Sequence, residues 1–216
     1  MKKFDENLAK FYAVQVLLAI EFLHYCNIIY RDLKPENILV DVDGYLKLAD
    51  MGFGKKINGR TYSFCGTLEY MSPEMILNKG YGLAVDWWAF GVLCYEMIAG
   101  VAPFTGNPRK IFEKVTKGSF TFTSEFSTSA KDLIINLLQT DLTKRYGNLK
   151  SGTADIKMHA WFSEVNFTKI YKHEAIAPYI PIISGPGDTS HFEDAQSNKL
   201  WNGKEDSDTK LEFADF

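Results

Sequence analysis

Apolar side chains at Leu8, Phe11, Tyr12, Val14, Val16, Leu17, Ile20, Phe22 and Leu23 recur with a helical period and spread into a broad stripe. Neither Gly nor Pro interrupts the run, which predicts a long helix ending near Asn27. The period then shortens. Ile38-Leu39-Val40 and Tyr45-Leu46-Lys47-Leu48 flank Asp41-Val42-Asp43-Gly44, a short hairpin whose turn is supplied by Asp43-Gly44. From Asp50 to Glu74 no sustained period survives and Gly, Ser and Thr accumulate, so a long surface segment is expected. Irregular segments of that length inside a folded domain are usually functional. Leu83 to Gly100 is apolar on most sides, as a buried central helix requires. Three more amphipathic helices are predicted at 109–117, 129–138 and 153–160, separated by Gly, Pro, Ser and Asp clusters. Beyond Asn166 the periodicity fades, and Pro178, Pro181 and Pro186 mark an extended tail. There is no internal repeat.

Composition narrows the class without naming a chemistry. With 216 residues, 46% of them hydrophobic and 24% charged, the chain suits one soluble domain plus a tail. The division expected is a domain over 1–162 and a tail over 163–216. A net charge of −3, from 24 basic and 27 acidic side chains, gives no footing for nonspecific nucleic-acid binding. Cys26, Cys65 and Cys94 form neither a close pair nor a metal pattern, which fits a reducing compartment. Asp5 and Glu6 follow Met1-Lys2-Lys3 at once, so no targeting segment is expected. The most apolar stretch, Trp87 to Phe104, is broken by Glu96 and too mixed to span a bilayer. A cytoplasmic or nuclear setting is the expectation.

Chemistry concentrates in Tyr30-Arg31-Asp32-Leu33-Lys34-Pro35-Glu36-Asn37, which sets two carboxylates, an ammonium and an amide in one loop. Phosphoryl transfer from a nucleotide to a hydroxyl needs such a set: a group to orient the hydroxyl, a cation for the moving phosphate and an oxygen for a metal. Asp50-Met51-Gly52 begins thirteen residues after Asn37 and offers a second metal ligand.

These motifs resemble those of the eukaryotic protein kinases, whose catalytic loop reads His-Arg-Asp-Leu-x-x-x-Asn and whose metal loop reads Asp-Phe-Gly. The chain is most similar to the AGC group and, within it, to the cAMP-dependent kinases. Cys65-Gly66-Thr67-Leu68-Glu69-Tyr70, Asp86-Trp87-Trp88, Asp141-Leu142-Thr143-Lys144-Arg145, Gly185-Pro186-Gly187-Asp188-Thr189-Ser190 and Phe213-Ala214-Asp215-Phe216 carry that likeness. The fold it implies is mainly α: a kinase large, C-terminal lobe with a small β-hairpin at the active site and without the small N-terminal lobe. The Gly-rich loop, the Val-Ala-Ile-Lys strand and the helix with the Lys partner Glu are not found in the sequence.

Each role that follows is what the resemblance implies, with ATP and Mg²⁺ as the nucleotide and metal. Asp32 orients the substrate hydroxyl and Lys34 faces the transferring phosphate. Asn37 and Asp50 hold Mg²⁺ and, with Leu39 beneath the adenine, bind the nucleotide; Met97 extends the apolar column below. Met51 stands where the family has Phe, and Tyr30 where most kinases have His. Ser63 occupies the activating phosphosite, with Arg31 and Lys55 as its cations. Thr67 bonds to Asp32 and Lys34 and marks specificity for Ser or Thr. Glu74 pairs with Arg145, and Asp86 accepts from catalytic-loop amides.

Substrate proteins with basic residues before the target Ser or Thr are implied by Glu36, Glu69 and Glu96, while Phe64, Leu68 and Met71 line a pocket for the apolar residue after it. Leu68 replaces the family Pro. Tyr62 and Phe112 stand where the cAMP-dependent kinases dock a cAMP-binding regulatory subunit or an inhibitor. In the tail, Phe192-Glu193-Asp194 resembles the segment that closes over the nucleotide, with Ala195 in place of Tyr, and Phe213 and Phe216 resemble the hydrophobic motif. Two functions are therefore expected to compete: a serine/threonine kinase of the cAMP-dependent type, or a kinase-derived binding module for regulatory subunits or inhibitors.

Overall fold

Asp5 opens the first helix, its carboxylate accepting the amides of Asn7 and Leu8 at 2.9 and 3.0 Å. The computed structural model describes residues 3–185 and 187–192. Helix α1 runs Glu6–Tyr25 and stops at Asn27, whose positive φ of 59° turns the chain out of the helix. It is apolar enough to cross a bilayer by length and composition. Its stripe of Leu8, Phe11, Tyr12, Val16, Leu17 and Ile20 is nevertheless buried in the core.

A two-residue strand β1 (Ile28–Ile29) leads into the catalytic loop, a 3₁₀ turn follows at Pro35–Asn37, and strands β2 (Ile38–Val40) and β3 (Leu46–Leu48) form the predicted antiparallel hairpin. Ile38 faces Leu48 and Val40 faces Leu46. The irregular segment after Asp50 contains a pairing that has no periodicity to betray it: β4 (Lys55–Lys56) lies antiparallel to β1. A second 3₁₀ turn at Leu68–Tyr70 and helix α2 (Pro73–Ile76) close it.

Helix α3 (Ala84–Ala99) is the hub, packed between α1 and α5. Fourteen of its residues are buried, among them Trp87, Trp88, Phe90, Leu93 and Tyr95, as an all-round apolar helix must be. Trp88 stacks on Phe104 with centroids 5.5 Å apart, and Tyr95 meets Phe120, Phe122 and Phe126 in one aromatic cluster. Helices α4 (Pro108–Lys117) and α5 (Thr128–Leu137) start on Asn107 and Ser127, whose side chains accept the amides of Lys110 and Ala130.

The helix expected over 153–160 is shorter. It comprises α6 (Ala154–Lys157) and a separate 3₁₀ turn at Ala160–Phe162 that buries Trp161 and Phe162. One more helix, α7 (Phe167–Tyr171), lies where periodicity fades, capped by Asn166 and anchored by buried Ile170. The chain divides into two units, Met1–Pro181 and Ile182–Phe216. Within the second, the Asp188 carboxylate accepts the amides of Ser184 and Ser190 at 2.7 and 2.9 Å. Phe192 is exposed. The features read at 193–216, including Ala195, Phe213 and Phe216, lie outside the described residues.

Candidate active site

The site is built from the end of the central helix outward. Asp86, in the first turn of α3 and fully buried, accepts the Tyr30 amide on Oδ2 and the Arg31 amide on Oδ1, both at 2.9 Å. His24, near the end of α1, places Nε2 2.8 Å from the same Oδ2. Three groups converging on one carboxylate hold the catalytic loop in a shape it would not choose alone: Arg31 sits at φ +72°, a left-handed conformation costly for a residue with a long side chain. His24 had no spacing to single it out; it lies 62 residues from Asp86.

Beyond that anchor the loop collects its polar groups around Asp32, which is 4% exposed. Asn37 donates Nδ2 to the Asp32 carbonyl and to Oδ2, both at 2.8 Å. Lys34 Nζ lies 3.0 Å from Oδ2 and donates to Thr67 Oγ1 at 3.0 Å, while that hydroxyl donates to Asp32 Oδ1 at 2.9 Å. Burial alone would raise the Asp32 pKa, but hydrogen bonds from Lys34, Thr67 and Asn37 outweigh it and hold the carboxyl below the usual carboxylate range. Among the described residues Oδ1 carries one donor only, so it retains capacity to accept from a hydroxyl.

Thr67 reaches this network because the activation segment touches the catalytic loop. Gly66 has φ +98°, and a Cβ there would lie 2.5 Å from the Arg31 carbonyl oxygen, so only Gly permits the approach.

Asp50 follows directly from the hairpin. The Ala49 amide donates to the Asn37 carbonyl at 2.8 Å, which brings the segments carrying Asn37 and Asp50 side by side. Asp50 holds φ +53° and accepts the Gly52 amide on Oδ1 at 2.9 Å. With Asn37 Nδ2 committed to Asp32, its amide oxygen and the Asp50 carboxylate are the hard oxygen donors left, a set that suits Mg²⁺ completed by phosphate oxygens and water. No group of three or more His, Cys, Asp or Glu forms a closed metal cage among the described residues.

The tyrosine ahead of the loop ties these parts together. Tyr30 is fully buried and its hydroxyl donates to the Ala49 carbonyl. Burial first, then the Asp32 carboxylate, raises its pKa, so it stays a neutral donor.

Leu39 and Met97 belong to different elements, β2 and α3. Leu39 is 41% exposed, and strand alternation turns its neighbours Ile38 and Val40 the other way, over a cavity of about 330 Å³ that Tyr12, Leu46, Leu93 and Met97 also line. Met97 thus underpins the hairpin from below, and Leu39 offers its upper face.

In the activation segment Ser63 is exposed, and its carbonyl accepts the Tyr81 hydroxyl at 2.6 Å. The two predicted cations are otherwise engaged. Arg31 Nε donates to the Phe53 carbonyl at 2.6 Å and Nη1 to the Tyr81 hydroxyl at 3.3 Å, while Lys55 donates to Thr61. Buried Tyr81 is a missed participant, joining Arg31 to Ser63 without a phosphate.

Glu36 is exposed, and Glu69 and Glu96 are half-buried. Tyr70, which has a place in a sequence motif but no role read from it, donates its hydroxyl to Glu96. Burial raises the Glu96 pKa, the Tyr70 hydrogen bond opposes that, and the Glu36 and Glu69 carboxylates add to the rise, so the three acids share one negative field. Phe64 is 61% exposed and packs edge-on against Phe112, Leu68 is half-buried, and Met71 is buried at 4%. The accessible apolar surface is thus that of Phe64 and Leu68. Tyr62 is exposed, with its ring against Gly80. Glu74 and Arg145 form a buried two-pronged pair at 2.6 and 3.0 Å.

Comparison with known proteins agrees with this geometry. The family model described as the protein kinase domain matches residues 1–162. A cAMP-dependent protein kinase catalytic subunit of Dictyostelium discoideum is 50% identical over 192 residues, covering 88% of this chain and 30% of that protein. The human cAMP-dependent protein kinase catalytic subunit PRKX is 46% identical over 197 residues, 91% of this chain and 55% of its own length. Catalytic subunit 2 of Drosophila melanogaster is 42% identical over 219 residues, 100% of this chain and 62% of the relative. This chain therefore spans between 30% and 62% of the length of these relatives. A matched domain covering most of the chain, and a loop that gathers Asp32, Lys34, Asn37 and Thr67, together mean that the chain belongs to the protein kinase domain family.

Proposed function

We propose that the polypeptide bearing this chain is a serine/threonine protein kinase of the cAMP-dependent type, moving the γ-phosphoryl group of ATP to hydroxyls that follow basic residues. The closed network of Asp32, Lys34, Thr67 and Asn37 carries this reading. Asp32 orients the substrate hydroxyl through Oδ1 and takes up its proton as the hydroxyl oxygen bonds to the γ-phosphorus and the bond from that phosphorus to the β–γ bridging oxygen breaks, releasing ADP. Lys34, held on the far side of the same carboxylate, offers its ammonium to the transferred phosphoryl oxygens. Asn37 and Asp50 would hold Mg²⁺, which supplies charge neutralisation along the phosphates. The loose transition state of phosphoryl transfer asks for positioning more than for a strong base, which suits a carboxyl of low pKa.

A direct assay separates the leading functions. Incubated with MgATP, the polypeptide phosphorylates a serine peptide carrying upstream arginines and leaves the matching alanine peptide unlabelled. No transfer to either peptide would favour the binding module, which the exposed apolar side chains of Leu39, Val42, Met51 and Phe53 support.

Specificity for basic peptides rests on Glu36, Glu69 and Glu96. Glu96→Gln removes one charge-assisted pair, so kcat/KM for an arginine-bearing peptide falls about 10- to 100-fold while the ATP KM holds. The pH dependence has a sign. Because the Glu96 pKa is raised, lowering the pH protonates this carboxyl before an ordinary glutamate, so peptide KM rises first on the acid side. That limb vanishes in Glu96→Gln. Its persistence would remove Glu96 from the substrate site.

A further inference from the structure

The segment 173–179 lies beyond the residues matched by the kinase domain, yet it passes over the hairpin that carries the nucleotide-site residues. Tyr45, the first residue after the hairpin turn, is 4% exposed because three elements close on it. Its ring stacks on the imidazole of His173, with centroids 3.9 Å apart and planes within 8°. Its edge meets Phe11 of α1 at 5.2 Å, and its hydroxyl donates to the Ala175 carbonyl at 2.7 Å. His173 Nδ1 lies 3.2 Å from Asp43 Oδ2 on the turn itself. Gly44, at φ +79°, has no room for a side chain: a Cβ would lie 2.2 Å from the Tyr179 carbonyl oxygen and 2.6 Å from Ala177 Cβ. From the other side Gln15 of α1 accepts the Leu46 amide at 2.7 Å.

Two strands of three residues each are too short to hold a fixed position by their own ladder. Their placement comes from α1 below and the strap above. What the hairpin carries is the nucleotide face: Leu39 on β2, and Asp50 two residues after β3, joined to Asn37 through the Ala49 amide.

We infer that His173 and the strap 173–179 are positioning elements for the nucleotide site, fixing the hairpin so that Leu39 and Asp50 meet MgATP. This rests on the kinase reading for its substrate but on the clamp alone for its mechanics. His173 has φ +56°, so Asn, which tolerates that conformation, is the clean replacement. His173→Asn removes the stack, and His173→Tyr restores a ring over Tyr45.

The experiment uses the full natural polypeptide and two readouts. Steady-state kinetics should show His173→Asn raising the ATP KM about 3- to 10-fold, the range set by losing one aromatic contact, with peptide KM unchanged. Hydrogen exchange should quicken at the Leu46–Asp50 amides and stay the same in α3. His173→Tyr, which returns a ring over Tyr45 but not the imidazole contact to Asp43, should recover part of both. Gly44→Ala, which forces the strap away, should act in the same direction and more strongly. Unchanged exchange at Leu46–Asp50, or equal changes in both KM values, would overturn the inference. Should the unsubstituted polypeptide phosphorylate nothing, the kinase reading fails, and exchange alone decides the strap: faster exchange in His173→Asn supports the clamp, and unaltered exchange overturns it.

Discussion

Asp32→Asn is expected to lower kcat for peptide phosphorylation by about 10²- to 10⁴-fold, the usual worth of a positioned general base, with modest effects on either KM. The argument is one of donors and acceptors. Asp32 receives hydrogen bonds from Thr67, Asn37 and Lys34, all of them donors. An amide at this position offers one acceptor oxygen where the carboxylate has two, and its nitrogen would face a donor whichever way it turned. With the amide nitrogen in the Oδ1 position the acceptor for the substrate hydroxyl is lost; turned the other way, the nitrogen faces the Lys34 and Asn37 donors, and in neither orientation can the amide take up the proton as a carboxylate does. Folding should suffer less than catalysis, because Lys34 and Thr67 can still bond to each other at 3.0 Å. Steady-state kinetics beside a thermal melt checks the split. A kcat within tenfold of the unsubstituted protein would show that positioning by Lys34 and the metal ligands suffices.

The same residue makes a statement about pH. Its pKa is held below the ordinary carboxylate range, so its ionised form persists into acid and is lost only as pH falls through that lowered value. A loss of kcat/KM that sets in on the acid side before Asp32 titrates must come from another group. Glu96, with its raised pKa, is the group in position to cause it. The two carboxyls thus separate by environment: one is surrounded by donors, the other by fellow acids and a tyrosine.

How much of this was legible in the sequence depends on the range of the interaction. Helices α1 and α3 declare themselves, because each is long enough to repeat its apolar pattern several times. The hairpin shows through its Asp43-Gly44 turn. Helix α7 does not, since five residues cannot display a 3.6-residue period, and its existence depends on the Asn166 cap and on Ile170 finding the core. The β1 to β4 pairing spans two residues per strand and carries no alternation to read. In the site, the motif residues were visible as a loop vocabulary, and the Thr67 contacts follow from family likeness. Their supports were not visible. His24 on Asp86, Tyr70 on Glu96 and His173 on Tyr45 join residues 62, 26 and 128 positions apart, and nothing in local spacing marks a tyrosine or histidine that will find a distant partner.

Breaking the buried pair of Glu74 and Arg145 is expected to have the largest effect on stability. Arg145 is fully buried and Glu74 is 6% exposed. The guanidinium meets both carboxylate oxygens, donates Nε to the Gln139 carbonyl at 2.9 Å and Nη1 to the Ala84 carbonyl at 3.1 Å, and lies 5.1 Å from the Trp88 ring centroid. It therefore joins the end of the activation segment, the start of α3 and the loop after α5. Glu74→Ala leaves that cation without its counter-charge in the core, at a cost of about 3–5 kcal/mol, since desolvation is no longer offset. For a domain of this size the melting midpoint should fall by roughly 6–20 °C. Arg145→Met strands the carboxylate and should cost a comparable amount. The double replacement Glu74→Ala with Arg145→Met is the discriminating case. It removes both charges together, so its loss should be smaller than the sum of the single losses, by the coupling that contacting residues show. It also leaves the Gln139 and Ala84 carbonyls without their donor, which keeps the double variant below the original. Denaturant unfolding of the three variants measures the cycle. Additive losses would mean that the pair is not coupled and that Arg145 acts through its carbonyl and ring contacts alone.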